Sequence, residues 1–149
     1  KIAMQCMDYN RPAMAASALG IAQGALEASI AFAKERKQFG KAIAEFQGLQ
    51  FMMSDMAMQI ETARALLYET TARYDAGETD GYSTLAAMVK CMASDAAMKV
   101  TTDAVQIFGG SGYMKEYPVE RMMRDAKVTQ IFEGTNQIQR VLIARDLLR

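Results

Sequence analysis

Three short segments hold the residues that could do chemistry: Ile131-Phe132-Glu133-Gly134-Thr135-Asn136-Gln137, Gln106-Ile107-Phe108-Gly109-Gly110-Ser111-Gly112 and Glu35-Arg36-Lys37-Gln38-Phe39-Gly40. In the first, Glu133 follows two apolar residues and precedes Gly134 and Thr135. A carboxylate beside apolar surface is partly desolvated, the setting of a general base. Gly134 has no side chain, so a ligand can approach the backbone closely. Free amides of the helix expected next could bind a phosphate or a polar ligand edge. Glu133 also reads as a surface carboxylate held by the dipole of that helix. The glycine cluster is open in the same way: it can admit a phosphate or simply stop a helix. No strand precedes it, as a dinucleotide fingerprint or P-loop would require. Arg36 has the planar fork that matches phosphate oxygens, and it equally suits a helix C-terminus.

Composition narrows the chemistry further. The sequence has 149 residues, 51% hydrophobic and 23% charged, with no His, no Trp, two Cys and zero formal net charge. Without His there is no Ser-His-Asp or Cys-His nucleophile system and no mixed Cys/His zinc site, and no metal site is expected. Acid–base work falls to a carboxylate, Lys, Tyr or Cys. Zero net charge offers no general attraction to nucleic acid or a membrane surface. Cys6 and Cys91 fit neither a disulfide framework nor a metal spacing, which points to a reducing, intracellular setting. No signal peptide is visible, and the longest uncharged stretch, Pro12 to Leu26, is too short to span a bilayer. The chain begins at Lys1 in the apolar run Lys1-Ile2-Ala3-Met4, as a piece of something longer would.

The elements that must position these segments are helical. Ala and Met are abundant, and only two prolines interrupt. Arg11-Pro12 predicts a helix opening, with Met14, Ala18, Ile21, Ala25, Ala28 and Phe32 at helical spacing up to Lys37 and Gly40 as a stop. The residues before it allow a short strand. Phe46, Leu49, Met53, Met56, Ile60, Ala63 and Leu67 step by three and four, a bundle seam that ends at Asp75-Ala76-Gly77. A third helix fits Ser83, as N-cap, to Phe108, with Leu85, Met88 or Val89, Met92, Ala96, Val100, Ala104 and Ile107 inward. Pro118 starts a short helix to about Lys127, and a last helix begins at Thr135 or Asn136 and carries Ile138, Leu142 and Leu147. This pattern predicts an all-α, up-down four-helix bundle in which the Met and Ala stripes are core.

Together the segments resemble the C-terminal domain of the acyl-CoA dehydrogenase family. The ordered matches include Asp8-Tyr9-Asn10-Arg11-Pro12, Ala18-Leu19-Gly20-Ile21-Ala22, Glu35 to Gly40, Asp103-Ala104-Val105-Gln106-Ile107, Gly109-Gly110, Glu116 to Glu120, Arg124-Asp125-Ala126 and Glu133-Gly134-Thr135. The resemblance implies that residues 1–149 are the helical C-terminal domain of a three-domain flavoprotein, without its N-terminal helical and middle β domains. It implies FAD as cofactor, with an acyl-CoA thioester converted to the trans-2-enoyl-CoA. Glu133 would take the α-proton, its own N–H would help hold the thioester oxygen, and hydride would pass to the flavin. The electrons would then go to electron-transfer flavoprotein, and the domain would build a homotetramer, a dimer of dimers.

Other roles follow residue by residue from the same resemblance. Arg36 and Gln38 correspond to FAD pyrophosphate and adenosine contacts with Phe39 nearby, and Phe46 and Gln47 fall where a helix meets FAD. Gln106, Gly109 and Gly110 resemble an adenine-side contact made to a neighbouring subunit's cofactor, and Thr135 and Gln137 match further FAD positions. Asp8, Arg11 and Gly134 look like substrate-site residues. Phe132 stands where many relatives have Tyr. Asn10 holds a position that in some branched-chain members carries the base, and Asn cannot serve, so the role falls on Glu133. An acyl-CoA oxidase, or a helical oligomerisation and cofactor-clamp module without activity, are the rival readings. The implied setting is fatty acid metabolism, cytoplasmic in a bacterium or in a mitochondrial matrix. The acyl chain length is not fixed.

Overall fold

The computed structural model describes the backbone of residues 2–149 and side chains from Cys6 onward, so the run Lys1 to Met4 lies outside the described side chains. Five helices follow in order: α1 (Ile2–Glu35), α2 (Gln47–Asp75), α3 (Tyr82–Phe108), α4 (Val119–Thr129) and α5 (Asn136–Leu147). Helix α3 is the centre, packing against α1, α2, α4 and α5, while α4 also packs against α1. Helix α4 thus covers the α1–α3 side of the bundle, and α5 lies on α3.

Small residues allow this close packing. Ala15, Ala18, Ala22, Ala25 and Ala33 of α1 and Ala86, Ala87, Ala93, Ala97 and Ala104 of α3 are buried. Helix axes approach as near as the contacting side chains permit, and Ala permits most. The core face of α1 is turned slightly from the expected one: Ala18 and Ala25 lie at its centre with Leu19 and Leu26, while Met14, Ile21, Ala28 and Phe32 flank it half-buried. In α2 the seam buries Met56, Ile60, Ala63 and Leu67 as expected. In α3, Met92 is instead 45% exposed.

Three boundaries differ from the sequence expectation. Helix α1 starts at Ile2, so residues 2–10, where the sequence allows a short strand, are helical, and Pro12 lies inside the helix. An interior Pro costs ~3 kcal/mol because it removes one backbone bond and crowds the preceding turn. Arg11 and Pro12 are both buried, so tertiary packing carries the helix through. Helix α3 is opened by Gly81 at φ 68 rather than by Ser83, whose hydroxyl instead donates to Asp8 at 3.0 Å. Gly40 does not stop α1 directly. It turns a hairpin, Lys37–Gln38 against Lys41–Ala42, in which Phe39 (φ 53) and Gly40 (φ 84) both have positive φ.

The last helix departs most. Ile138 is 53% and Leu147 71% exposed, and the residues α5 buries are Asn136 and Gln139. Leu142 and Ile143 are half-buried, but the fully buried residues that dock α5 are polar. By length and composition the stretch Cys6–Glu35 of α1 could cross a bilayer. Its Ala-rich face packs against α3, as a core helix does. Among the described residues no group of three or more His, Cys, Asp or Glu is placed to hold a metal ion, and Cys6 and Cys91 are free thiols.

Ala97 is fully buried on α3, so Ala97→Leu should cost about 1–3 kcal/mol through overpacking. Gly20 on α1 has open space where a Cβ would stand, so Gly20→Ala should add about 0.5–1 kcal/mol. Urea unfolding checks both. An unchanged midpoint for Ala97→Leu would contradict the close packing of α3.

Candidate functional site

Two regions gather the singled-out residues. The first is a groove of about 790 Å³ at one end of the bundle, lined by Arg36, Gln38, Phe39, Phe46, Gln106, Gly109 and Gly110 among others. The hairpin carries the first three, the start of α2 is next to Phe46, and the end of α3 supplies the rest. The floor is aromatic: the Phe32 and Phe108 rings stack with centroids 4.1 Å apart. Phe39 is 93% exposed at the rim. A Cβ at Gly109 or Gly110 would meet nothing within 4 Å, whereas one at Gly112 would stand 2.7 Å from the Val105 carbonyl. The glycine cluster therefore does two jobs: Gly109 (φ 60) ends α3 and, with Gly110, leaves backbone open to the groove, and Gly112 packs. Among the described residues Arg36 has no ion-pair partner. A free guanidinium, two carboxamides, open glycines and apolar rings form a donor set that fits a cofactor bearing phosphates and fused rings. Gln47 is exposed at the start of α2 and does not line this groove.

The second region is the turn between α4 and α5. Glu133 (φ 54) and Gly134 (φ 85) both sit in the left-handed region, which costs a residue with a Cβ such as Glu about 1–3 kcal/mol. The surroundings dictate that conformation. Gln139, buried on α5, donates through Nε2 to the Glu133 and Gly134 carbonyls, each at 3.2 Å. Lys90, 1% exposed in the middle of α3, donates to the Gly134 carbonyl at 3.0 Å and to Asn136 Oδ1 at 2.7 Å. A trans peptide points its C=O and N–H in opposite directions. With both carbonyls drawn inward, the amides of Gly134 and Thr135 face away from the core. Among the described residues the amides of Glu133, Gly134 and Thr135 meet no acceptor. The Thr135 hydroxyl caps α5, accepting from the Ile138 amide at 3.3 Å, and Gln137 is exposed.

Around this turn the polar network continues. Asn136 Nδ2 donates to Ser94 and Asp95, each at 2.8 Å, and Asp95 also receives Gln130 and Arg140, each at 2.6 Å. Burial pushes the Asp95 carboxyl up, but hydrogen bonds from Arg140, Gln130 and Asn136 outweigh it and hold it below its ordinary value. Burial holds the Lys90 ammonium below the usual lysine range, against the opposing pull of Cys91, Asp95 and, least, Glu133, while the Arg11 charge adds to the lowering. Arg11 is itself 2% exposed, pairs with Asp8, and leaves its Nε without a partner. Asp8 in turn lines a cavity of about 360 Å³ with Tyr9, Tyr74, Thr79, Tyr82 and Ser83. Burial, and next the Asp8 charge, push the Tyr82 phenol up. Lys90 is thus bonded to Gly134 and Asn136, while Asp8 and Arg11 form a separate pair whose Arg11 charge is felt at Lys90.

The groove and the turn stand well apart. Lys90 and Gln106 are separated by about 24 Å along α3 at 1.5 Å per residue. Sequence reasoning missed Lys90, Asn136 and Gln139, the side chains that set the turn. A signal existed: Lys90 falls on the same helical face as Ala86, Ala93 and Ala97, where a charge has no reason to be unless something buried needs it.

The family model for the acyl-CoA dehydrogenase C-terminal domain matches residues 1–148. A curated relative from Mycobacterium bovis, named "Probable acyl-CoA dehydrogenase fadE25", is 59% identical over 150 residues, covering 100% of this chain and 38% of the relative. Butyryl-CoA dehydrogenase from Megasphaera elsdenii superposes with TM-score 0.97 at 51% identity, covering 100% of this chain and 38% of that one. A chain from a structure on the electron transferring flavoprotein of Acidaminococcus fermentans superposes with TM-score 0.97 at 58% identity, covering 100% and 39%. This helical domain with its groove and its strained Glu-Gly turn belongs to the acyl-CoA dehydrogenase family, as that family's C-terminal domain. The chain spans less than two fifths of the length of the curated relative it matches.

At Gly134 an added Cβ would stand 2.6 Å from Gln139 Nε2, at a φ that L residues rarely adopt. Gly134→Ala should therefore destabilise by about 1–3 kcal/mol and loosen the turn. Urea unfolding gives the first and proteolysis or amide exchange at residues 131–136 the second. Wild-type stability with unchanged exchange would show that the turn is not held as described.

Proposed function

We propose that this chain is the C-terminal domain of a longer FAD-dependent acyl-CoA dehydrogenase, with Glu133 as the base that removes the α-proton of an acyl-CoA thioester. The observation that carries this reading is the Glu133–Gly134 turn: a half-buried carboxylate in strained backbone, next to amides that meet no acceptor among the described residues. An α-proton is a weak acid until its carbonyl is polarised. The Glu133 amide is a fixed donor for the thioester oxygen, and such preorganised donors contribute most where water is excluded. The proton passes to the Glu133 carboxylate as the α-carbon–hydrogen electron pair forms the new double bond. FAD, when bound, supplies the acceptor for the hydride that leaves the β-carbon, so the product is the trans-2-enoyl-CoA.

Arg36, Gln38, Gln106, Gly109 and Gly110 would hold the phosphate and adenosine end of that cofactor, with Phe39 and Phe46 beside it. Because these residues line one groove, one subunit would offer all of them to the same cofactor. The 24 Å or so along α3 between Lys90, which holds the turn, and Gln106, which lines the groove, favours a cofactor shared across subunits, and with it the homotetramer. The exposed apolar residues Ile131, Phe132, Ile138 and Val141 around the turn and α5 favour cover by another domain or copy. The structure on an electron transferring flavoprotein, one of whose chains resembles this one so closely, supports electron-transfer flavoprotein as acceptor.

In the intact protein, Glu133→Gln should keep bound FAD and lose flavin bleaching by butyryl-CoA at least about 100-fold. Normal bleaching by that variant refutes the assignment. Gly110→Leu fills open groove without touching the core, so it should leave thermal unfolding near wild type and lower FAD retained after dialysis at least tenfold. Full retention would remove the groove from the cofactor site.

A further inference from the structure

Resting on that reading, we propose that Lys90 is a positioning residue for Glu133: its buried Nζ turns the Gly134 carbonyl inward and so aims the turn's carboxylate and free amides at the substrate.

The placement of Lys90 is the first argument. A lysine 1% exposed on an alanine-rich face loses its hydration, and a well-packed apolar residue would fill the same space at no such cost. Lys90 makes no ion pair among the described residues. Its nitrogen bonds instead to the Gly134 carbonyl at 3.0 Å and to Asn136 Oδ1 at 2.7 Å, one and three residues beyond Glu133. Charged or neutral, the amine keeps at least two N–H donors for these two acceptors.

The geometry of the turn is the second. Glu133 and Gly134 both hold positive φ, a conformation that lasts only where its neighbours over-determine it. Gln139 gives each carbonyl one long bond. Its Nε2 is shared between two carbonyls at 3.2 Å each, and its Oε1 is buried without a partner. Lys90 gives Gly134 a second, shorter bond, from α3, and ties Asn136, the first residue of α5, to the same point. Without it the 134–135 peptide can rotate, carrying the Thr135 amide out of line and loosening the Gly134 end of the turn that carries Glu133. A displacement of about 1 Å at a base can cost 100-fold in rate.

The test uses the intact protein with FAD bound. Lys90→Met keeps length and volume but has no donor. It should lower turnover of butyryl-CoA per bound flavin by 10- to 100-fold, with KM within threefold of wild type. Solvent deuterium exchange into the methyl group of acetyl-CoA should fall in parallel, because acetyl-CoA has no β-carbon and exchange reports the base without hydride transfer. Lys90→Gln, which retains an N–H about one bond short, should recover part of the loss. If Lys90→Met does not retain flavin, Lys90→Gln decides alone, with a per-flavin rate at least threefold below wild type expected. Wild-type turnover and exchange per flavin in these variants, with any loss confined to flavin content or thermal stability, overturn the proposal and leave Lys90 a fold residue. A wild-type protein that neither turns over butyryl-CoA nor exchanges acetyl-CoA overturns the function reading, and this one with it.

Discussion

A lysine amine drawn into the middle of an alanine-packed helix bundle is the constraint around which the candidate active turn is organised. Lys90 offers donors where no water can, so the chain must bring acceptors to it. It brings the Gly134 carbonyl and the Asn136 side chain, and these fix where α5 begins and how the Glu133–Gly134 backbone bends. The polar docking of α5 follows from the same need: Asn136 and Gln139 are buried because the turn's bonds pass through them. The apolar residues of α5 are then left on the outside, where another surface of a larger assembly would cover them.

The two regions of the domain depend on α3 in different ways. At its end, Gly109 stops the helix and opens a groove with Gly110, and the hairpin at the end of α1 brings Arg36 and Gln38 to the other side. In its middle, α3 supplies Lys90, Ser94 and Asp95 to the turn. One helix thus sets both the candidate cofactor groove and the proposed base, separated by a span that its own length dictates. The small residues on its faces let its four neighbouring helices approach closely enough to hold that geometry.

Much of this was legible in the sequence where a strong local signal existed. The α2 seam, with Met56, Ile60, Ala63 and Leu67, is periodic enough that packing simply obeys it. Thr135 opens the last helix as a hydroxyl N-cap should. The groove residues were found by resemblance and then brought together by the fold. Failures came where tertiary packing overrode local preference: Pro12 sits inside α1 because burial outweighs its helix penalty, and Ser83 serves Asp8 rather than capping α3. The α5 error is more instructive. Ile138 and Leu147 look like core by spacing, but core is defined by what the helix packs on, and here it packs on a polar network. Periodicity cannot report a buried bond between residues 44 positions apart, such as that from Lys90 to Gly134.

The central claim is that inward-held carbonyls leave the Glu133 carboxylate and its neighbouring amides aimed at an acyl-CoA thioester. A crystal structure of the intact protein with FAD and a non-reactive acyl-CoA analogue tests it most directly. The account predicts the thioester oxygen about 2.7–3.1 Å from the Glu133 amide, the carboxylate beside the α-carbon, and Lys90 still bonded to the Gly134 carbonyl. A thioester bound away from Glu133, or a turn rebuilt with the Gly134 carbonyl facing the ligand, would contradict it.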